Sequence, residues 1–249
     1  GFPFDFRLGY GRAISSRATL VAANLSASEM RKNRRPEIPV HMHAGEFLRE
    51  LSSVARGSLG PWSDWFETLR EREGGRDAEI AEQAKTASDL VNPLQLFQRI
   101  EEKMSDDAVL VVDGGDFVAT ASYILRPRGP LSWLDPGVFG TLGVGGGFAV
   151  GASLVRPGKE VWLIYGDGSW AQIAREQVPM LGTDVGTKLN RSDYHDVAQG
   201  YGAAGLLLDD PSRIDAVLDE AKALAASGKP VVINAHISAT EFRKGSISM

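Results

Sequence analysis

The sequence predicts an α/β protein: a parallel sheet flanked by helices, preceded by part of a second α/β domain. Three observations carry this reading. The apolar runs 108–112, 160–165 and 230–235 are too short and too β-branched for helices and read as buried parallel strands. Segments with helical spacing fall between the last two. Glycine-rich or acidic turns directly follow the first two runs, at the strand ends where open α/β sheets bind ligands.

Before these runs, residues 18–23 and 37–41 are strand candidates. Between them, Ser26 is a candidate helix N-cap with Glu29 three residues on. Residues 44–54 form an amphipathic helix with Phe47, Leu48 and Leu51 on one face. This is the tail of an α/β domain, assigned to 1–56. In 57–92, Gly57, Gly60, Pro61, Gly74, Gly75 and the charged stretch 67–76 predict a connector. A short helix is expected to precede it, with Trp62, Trp65, Phe66 and Leu69 packed in a core. From Asn92 a new unit opens, 93–249. Pro93 takes the first helical position, where its missing N–H costs nothing, and helices are expected over 94–104, 194–201 and 214–226.

Composition narrows the function classes. The 249 residues are 43% hydrophobic and 24% charged, the balance of a folded protein rather than a disordered one. Net charge is −5 with acids and bases interspersed, so no nucleic-acid partner is expected. No apolar run reaches the roughly 20 residues needed to span a bilayer, and no membrane partner is expected. Residues 138–155 come nearest but are broken by six glycines. With no cysteine, disulfides, thiolate zinc sites and a cysteine nucleophile are excluded, which fits a cytoplasmic location. His41 and His43 have no third ligand near them and are assigned structural roles. Gly1-Phe2-Pro3-Phe4 has neither a signal-peptide nor a transit-peptide pattern and reads as the middle of a domain.

Three turns carry the chemistry. The first is Asp113-Gly114-Gly115-Asp116. The second runs from Phe139 to Gly147 and leads into a helix from Phe148. It fails both the dinucleotide pattern GxGxxG and the Walker pattern. A tight turn feeding a closely packed helix explains Gly147 and Gly151, but the glycines upstream point to backbone approaching a ligand. The third is Gly166-Asp167-Gly168-Ser169. A carboxylate between two glycines at a strand end suits a Mg²⁺ whose remaining oxygens come from a diphosphate and water. Asp-Gly is also a common turn. The ordered set of three is what raises the odds of a site.

That set, with Gly140-Thr-Leu-Gly-Val-Gly-Gly-Gly-Phe-Ala-Val-Gly-Ala in the middle, resembles the cofactor domain of the acetolactate synthase and oxalyl-CoA decarboxylase superfamily. The resemblance covers 93–249, and 1–56, with Phe4-Asp5-Phe6-Arg7, is similar to the end of that superfamily's middle domain. Residues 171–177 and the tail 241–249 look most like 2-hydroxyacyl-CoA lyases. The resemblance implies thiamine diphosphate and Mg²⁺ as cofactors, with ADP as a further bound nucleotide. It implies an acyl-CoA substrate cleaved to formyl-CoA and an aldehyde or ketone, 2-hydroxyisobutyryl-CoA giving acetone being one such case. It implies Asp167 as Mg²⁺ ligand, with Gly168, Ser169, Gly115 and Asp116 against the diphosphate. The Gly140 carbonyl and the Leu142 N–H, flanking Thr141, would meet the pyrimidine ring. The Leu142 side chain would wedge between the two rings and hold the cofactor bent. Trp170, Gln172 and Arg175 would border the substrate, and Arg243 and Lys244 would meet CoA phosphates; a packed helix and a solvated tail explain these five residues equally well.

Two departures matter. In the family, a helix and a strand follow the third turn and end in an Asn that is the second metal ligand. Here Trp170-Ala171-Gln172-Ile173 follows Ser169 at once, so an internal segment is expected to be missing. Asn190 stands at a tempting distance, but no buried strand precedes it, and it is read as a decoy. The Glu that activates the pyrimidine belongs to the family's N-terminal domain, usually across a dimer. No complete catalytic set is therefore assigned to this chain, and a homodimer or homotetramer is implied. Competing readings are oxalyl-CoA decarboxylation or acetolactate synthesis on the same scaffold, and a non-catalytic nucleotide-binding module.

Overall fold

The computed structural model describes residues 6–32, 34–56, 62–166, 177–187, 190 and 192–242. The chain divides into two compact units, 1–71 and 72–249.

In the first unit, β1 (Val21–Ala23) and β2 (Ile38–Val40) form a parallel pair. The Glu37 carboxylate accepts from the Leu20 N–H at 2.7 Å, and Arg34 donates to the carbonyls of Ile14, Ser15 and Ala18. Ser26 accepts the Glu29 N–H through its hydroxyl, as an N-cap would, but only one 3-10 turn, Glu29–Arg31, follows. Helix α1 (Ala44–Ala55) is capped by His43, whose Nδ1 accepts from the Gly45 N–H. His41 Nε2 meets the Leu25 carbonyl at 2.6 Å. Both histidines thus have structural partners, as expected.

The stretch read as a connector contains a 22-residue helix, α2 (Ser63–Ala84), which runs through Gly74 and Gly75. Two interior glycines disfavour a helix by about 1 kcal/mol each, and side chains along its second half offset this. Arg126 faces Glu73 and Asp77, and Arg76 lies over the rings of Tyr123 and Phe242. Ile80 and Ala84 are buried. Trp62, Trp65, Phe66 and Leu69, expected in a core, are exposed.

The second unit is built on β3 (Val109–Val112), buried along its whole length, as a run of branched side chains covered on both faces requires. It lies between β4 (Trp133–Leu134) and β5 (Val161–Ile164), parallel to both. Helix α3 (Pro93–Lys103) starts as predicted, with the Asn92 side chain accepting from the Leu94 N–H. The Asn92 amide also donates to the carbonyls of Gln83 and Thr86. Helices α4 (Asp116–Ile124) and α5 (Gly145–Val155) follow β3 and β4. Downstream, α6 (Tyr194–Gly200), β6 (Ala204–Leu208), α7 (Ile214–Ala226) and β7 (Val231–Ala235) form a second parallel pair with its helices. One core joins both sheets: Leu110 and Val112 share it with Phe97, Leu208, Val217 and Leu218.

Polar contacts tie the same parts together. Arg99 and Lys103 on α3 pair with Asp215 and Asp219 on α7. Glu160, just before β5, accepts from the Ser105 N–H and Trp162 Nε1, both at 3.1 Å, and faces Lys222 Nζ at 3.0 Å. Burial alone would raise the Glu160 carboxyl, but the hydrogen bonds from Trp162, Lys222 and Ser105 outweigh it and hold the group below the ordinary carboxylate range. A carboxylate whose folded pKa is depressed contributes stability above its unfolded pKa, about 4.3 for Glu, and loses it as pH falls through the folded value. Urea unfolding at stepped pH should therefore show wild type losing stability below about pH 4.3 more steeply than Glu160→Gln. Equal slopes would contradict this role.

Candidate functional site

The first two turns leave the carboxyl ends of neighbouring parallel strands: β3 ends at the first, and β4 leads through Asp135 to the second. Strand β5, on the other side of β3, ends directly before Tyr165 and Gly166. The register of β3 with β5 is tight: Val112 pairs with Ile164, and the Asp113 N–H donates to the Ile164 carbonyl at 3.0 Å. Two-residue β4, with no long apolar run to mark it, was not evident in the sequence. It is what brings the second turn beside the first.

The first turn needs its glycines. Gly114 and Gly115 have φ of 136° and 91°, in the range that L side chains avoid. A Cβ on Gly114 would stand 2.5 Å from Leu142 Cδ2, so the bare backbone leaves room for that side chain. Gly115 caps α4 with no side-chain hydrogen bond, so the cap leaves the first-turn N–H groups to other acceptors.

Asp113, not singled out by its sequence context as a site residue, joins the two turns. Its Oδ2 accepts from the Gly143 N–H at 2.9 Å and its Oδ1 from the Gly145 N–H at 2.7 Å. Val144, the N-cap of α5, makes no side-chain cap; the strand-end carboxylate takes that role from a distance. Asp135 does similar work earlier, accepting from Trp133 Nε1 and from the Gly137 N–H. Gly137, Gly140 and Gly143 all have positive φ. The loop thus runs Asp135 to Asp113 with a carboxylate at each end. Between them, Gly140, Thr141 and Leu142 are exposed, Leu142 to 46%.

The helix after this loop begins at Gly145, not at Phe148 as expected. Close packing falls on Gly145, where a Cβ would lie 2.8 Å from Leu163 Cδ1 and 3.0 Å from Asp113 Cβ. Gly147 and Gly151, expected to be the packed positions, have nothing within 4 Å of where a Cβ would stand, and nothing in the structure explains glycine there.

Of the residues singled out in the sequence, Gly115, Asp116, Gly140, Thr141 and Leu142 lie on the two joined turns. Asp167, Gly168, Ser169, Trp170, Gln172, Arg175, Arg243 and Lys244 lie outside the described residues. Gly166 is placed, directly beyond exposed Tyr165. Asn190 is exposed in irregular chain. Among the described residues, no group of three His, Asp or Glu side chains is arranged to hold a metal, and no helix is long and apolar enough to cross a membrane.

The glycine geometry separates two substitutions in one helix. Gly145→Ala should destabilise by about 1–3 kcal/mol through overpacking against Leu163 and Asp113. Gly147→Ala should stabilise by roughly 0.5–1 kcal/mol, the ordinary gain for alanine inside a helix. Denaturant midpoints read both, and the reverse order would refute this packing.

The family described as "Thiamine pyrophosphate enzyme, C-terminal TPP binding domain" matches residues 113–181, from Asp113 past the third turn. The 2-hydroxyacyl-CoA lyase 2 of Danio rerio is 42% identical over 281 residues, covering 98% of this chain and 45% of the relative. That of Homo sapiens is 41% identical over 280 residues, covering 98% and 44%. The acetolactate synthase large subunit IlvG of Mycobacterium tuberculosis is 30% identical over 263 residues, covering 94% and 47%. The chain spans about half the length of the curated relatives it matches. The Danio rerio alignment, at 281 residues, is longer than the 249-residue chain, so it includes positions with no counterpart here. Residues 113–181 thus match the C-terminal TPP-binding domain of thiamine pyrophosphate enzymes, and nearly the whole chain is similar to about half of 2-hydroxyacyl-CoA lyase 2.

Proposed function

We propose that the chain is the cofactor-binding part of a thiamine-diphosphate-dependent lyase that cleaves a 2-hydroxyacyl-CoA to formyl-CoA and an aldehyde or ketone. The observation that carries this reading is the 42% identity with a 2-hydroxyacyl-CoA lyase 2 across 98% of the chain. The described residues fit the cofactor: the side-chain-free turn Gly114–Gly115 can admit a diphosphate to the start of α4, and an exposed leucine stands against it.

When bound, thiamine diphosphate supplies a carbon nucleophile and an electron sink for carbon–carbon cleavage. The chain's residues do the rest by position. The N–H groups at Gly115 and Asp116 would face the diphosphate, the Gly140 carbonyl would accept from the aminopyrimidine, and Leu142 would pack against the rings. Asp167 would ligate Mg²⁺, with Gly168 and Ser169 toward the diphosphate. Trp170 and Gln172 would border the acyl group, and Arg243 and Lys244 would meet the CoA phosphates. The positions without counterpart here enter after Ser169 and bring the second metal ligand. The activating glutamate comes from a domain outside this chain, across a homodimer or homotetramer interface, and the site is cytoplasmic. We take 2-hydroxyisobutyryl-CoA as the first substrate to try.

The acetolactate synthase relative, at 30% identity, supports a second reading, acetolactate synthesis on the same scaffold; oxalyl-CoA decarboxylation is the other reaction to be separated. Product analysis of the complete gene product with Mg²⁺ and thiamine diphosphate separates these readings. 2-Hydroxyisobutyryl-CoA should give acetone and formyl-CoA; acetolactate from pyruvate, or CO₂ from oxalyl-CoA, would replace the lyase reading. Calorimetry should find thiamine diphosphate binding only with Mg²⁺, and Asp167→Ala should weaken it by about 100-fold or more, since even outer-shell changes cost 10–100-fold. Binding of ADP but not thiamine diphosphate would favour a nucleotide-binding module instead.

A further inference from the structure

The contact between Asp113 and the second turn does more than cap a helix. A cap needs one oxygen and one first-turn N–H, which Oδ1 and Gly145 provide at 2.7 Å. The other oxygen reaches outside the helix to Gly143, at 2.9 Å. Gly143 directly follows Leu142, so the carboxylate fixes the peptide on which that side chain hangs. From the opposite side, Leu142 Cδ2 fills the space where Gly114 lacks a Cβ. Gly114 is itself the residue after Asp113. One short strand end therefore holds the leucine twice: through the carboxylate behind it, and through the missing side chain beneath it.

A leucine held this closely would ordinarily be buried. Here it is 46% exposed at the carboxyl end of the sheet. Phe139, in the same loop, is 88% exposed but lies before the segment clamped by Asp113. An apolar side chain that is fixed and yet presented to the site's mouth is arranged to meet something apolar. Two charge-assisted bonds from a single carboxylate are also stronger than neutral ones, and they set the peptide in place before any ligand arrives.

We propose that Asp113 is a positioning residue: it sets the height of Leu142 above Gly114, and so the contact that side chain makes with the ring-bearing part of the cofactor. The inference rests on the proposed function. It predicts that loosening the clamp affects the rings of the cofactor and leaves its diphosphate end alone, because Gly115 and Asp116 are the cap and first residue of α4 rather than part of the clamped loop.

The test compares two probes, thiamine diphosphate and inorganic diphosphate, each with Mg²⁺, by calorimetry on wild type, Asp113→Asn, Asp113→Ala and Leu142→Ala. Asparagine keeps one acceptor but turns an amide N–H₂ toward the second backbone N–H, and Leu142→Ala removes the positioned side chain with the carboxylate intact. The thiamine diphosphate Kd should rise about tenfold in Asp113→Asn and Leu142→Ala, and further in Asp113→Ala, tenfold being about 1.4 kcal/mol. The inorganic diphosphate Kd should stay within about twofold in the variants that keep the wild-type melting temperature. If wild type binds thiamine diphosphate and both Asp113→Asn and Leu142→Ala bind it equally well, this inference falls while the proposed function stands. If both probes weaken together, Asp113 is only structural and the inference also falls. A wild type that binds no thiamine diphosphate overturns the proposed function and this inference with it.

Discussion

One carboxylate organises the described part of the site. Asp113 stands one residue past the most buried strand, hydrogen-bonded through its backbone to β5 and through its side chain to Gly143 and Gly145. The turns after β3 and β4 and the last residue of β5 are thereby referred to a single point at the sheet's carboxyl edge. Were the clamp absent, the loop 140–144, with glycines at 140 and 143 and exposed side chains between, would have little else to set its conformation. Glycine loops lose more entropy on ordering than any others, and the two charge-assisted bonds offset part of that cost.

Parallel strands make the arrangement possible. Because β4, β3 and β5 run in one direction, their carboxyl ends lie along one edge. The rigid core beneath, with Phe97, Leu110 and Val112 fully or nearly fully buried, lets small residues at the strand ends act as fixed points. Chemistry by a bound cofactor asks this of its protein: groups held in place in advance rather than gathered at the moment of reaction.

Much of this was legible in the sequence. The strands 109–112, 161–164 and 231–235 were marked by unbroken branched apolar runs, and α3 by Asn92 and Pro93, because these signals are local. Strand β4 was not, since two residues carry no periodicity and pairing with β3 decides them. Strand β6 was hidden for a related reason: Ala204-Gly205-Leu206-Leu207-Leu208 lacks β-branching, and its Gly205 is required by the His195 backbone, 1.9 Å from where a Cβ would be. Helix α2 ran through Gly74 and Gly75 because contacts distant in sequence, from Arg126, Tyr123 and Phe242, override local propensity. At the site, the glycines announced themselves while the acid that holds them did not. Asp113 looked like one more turn aspartate, and its partners lie thirty residues and more downstream.

The central claim is that the second turn is set in place by Asp113 before any cofactor binds. Amide hydrogen exchange of the cofactor-free protein, resolved to single residues, tests it most directly. The account predicts that the Gly143 and Gly145 amides are protected well above that of the exposed Thr141, and that Asp113→Asn lowers the protection of both. Exchange at Gly143 and Gly145 as fast as at Thr141 would contradict it.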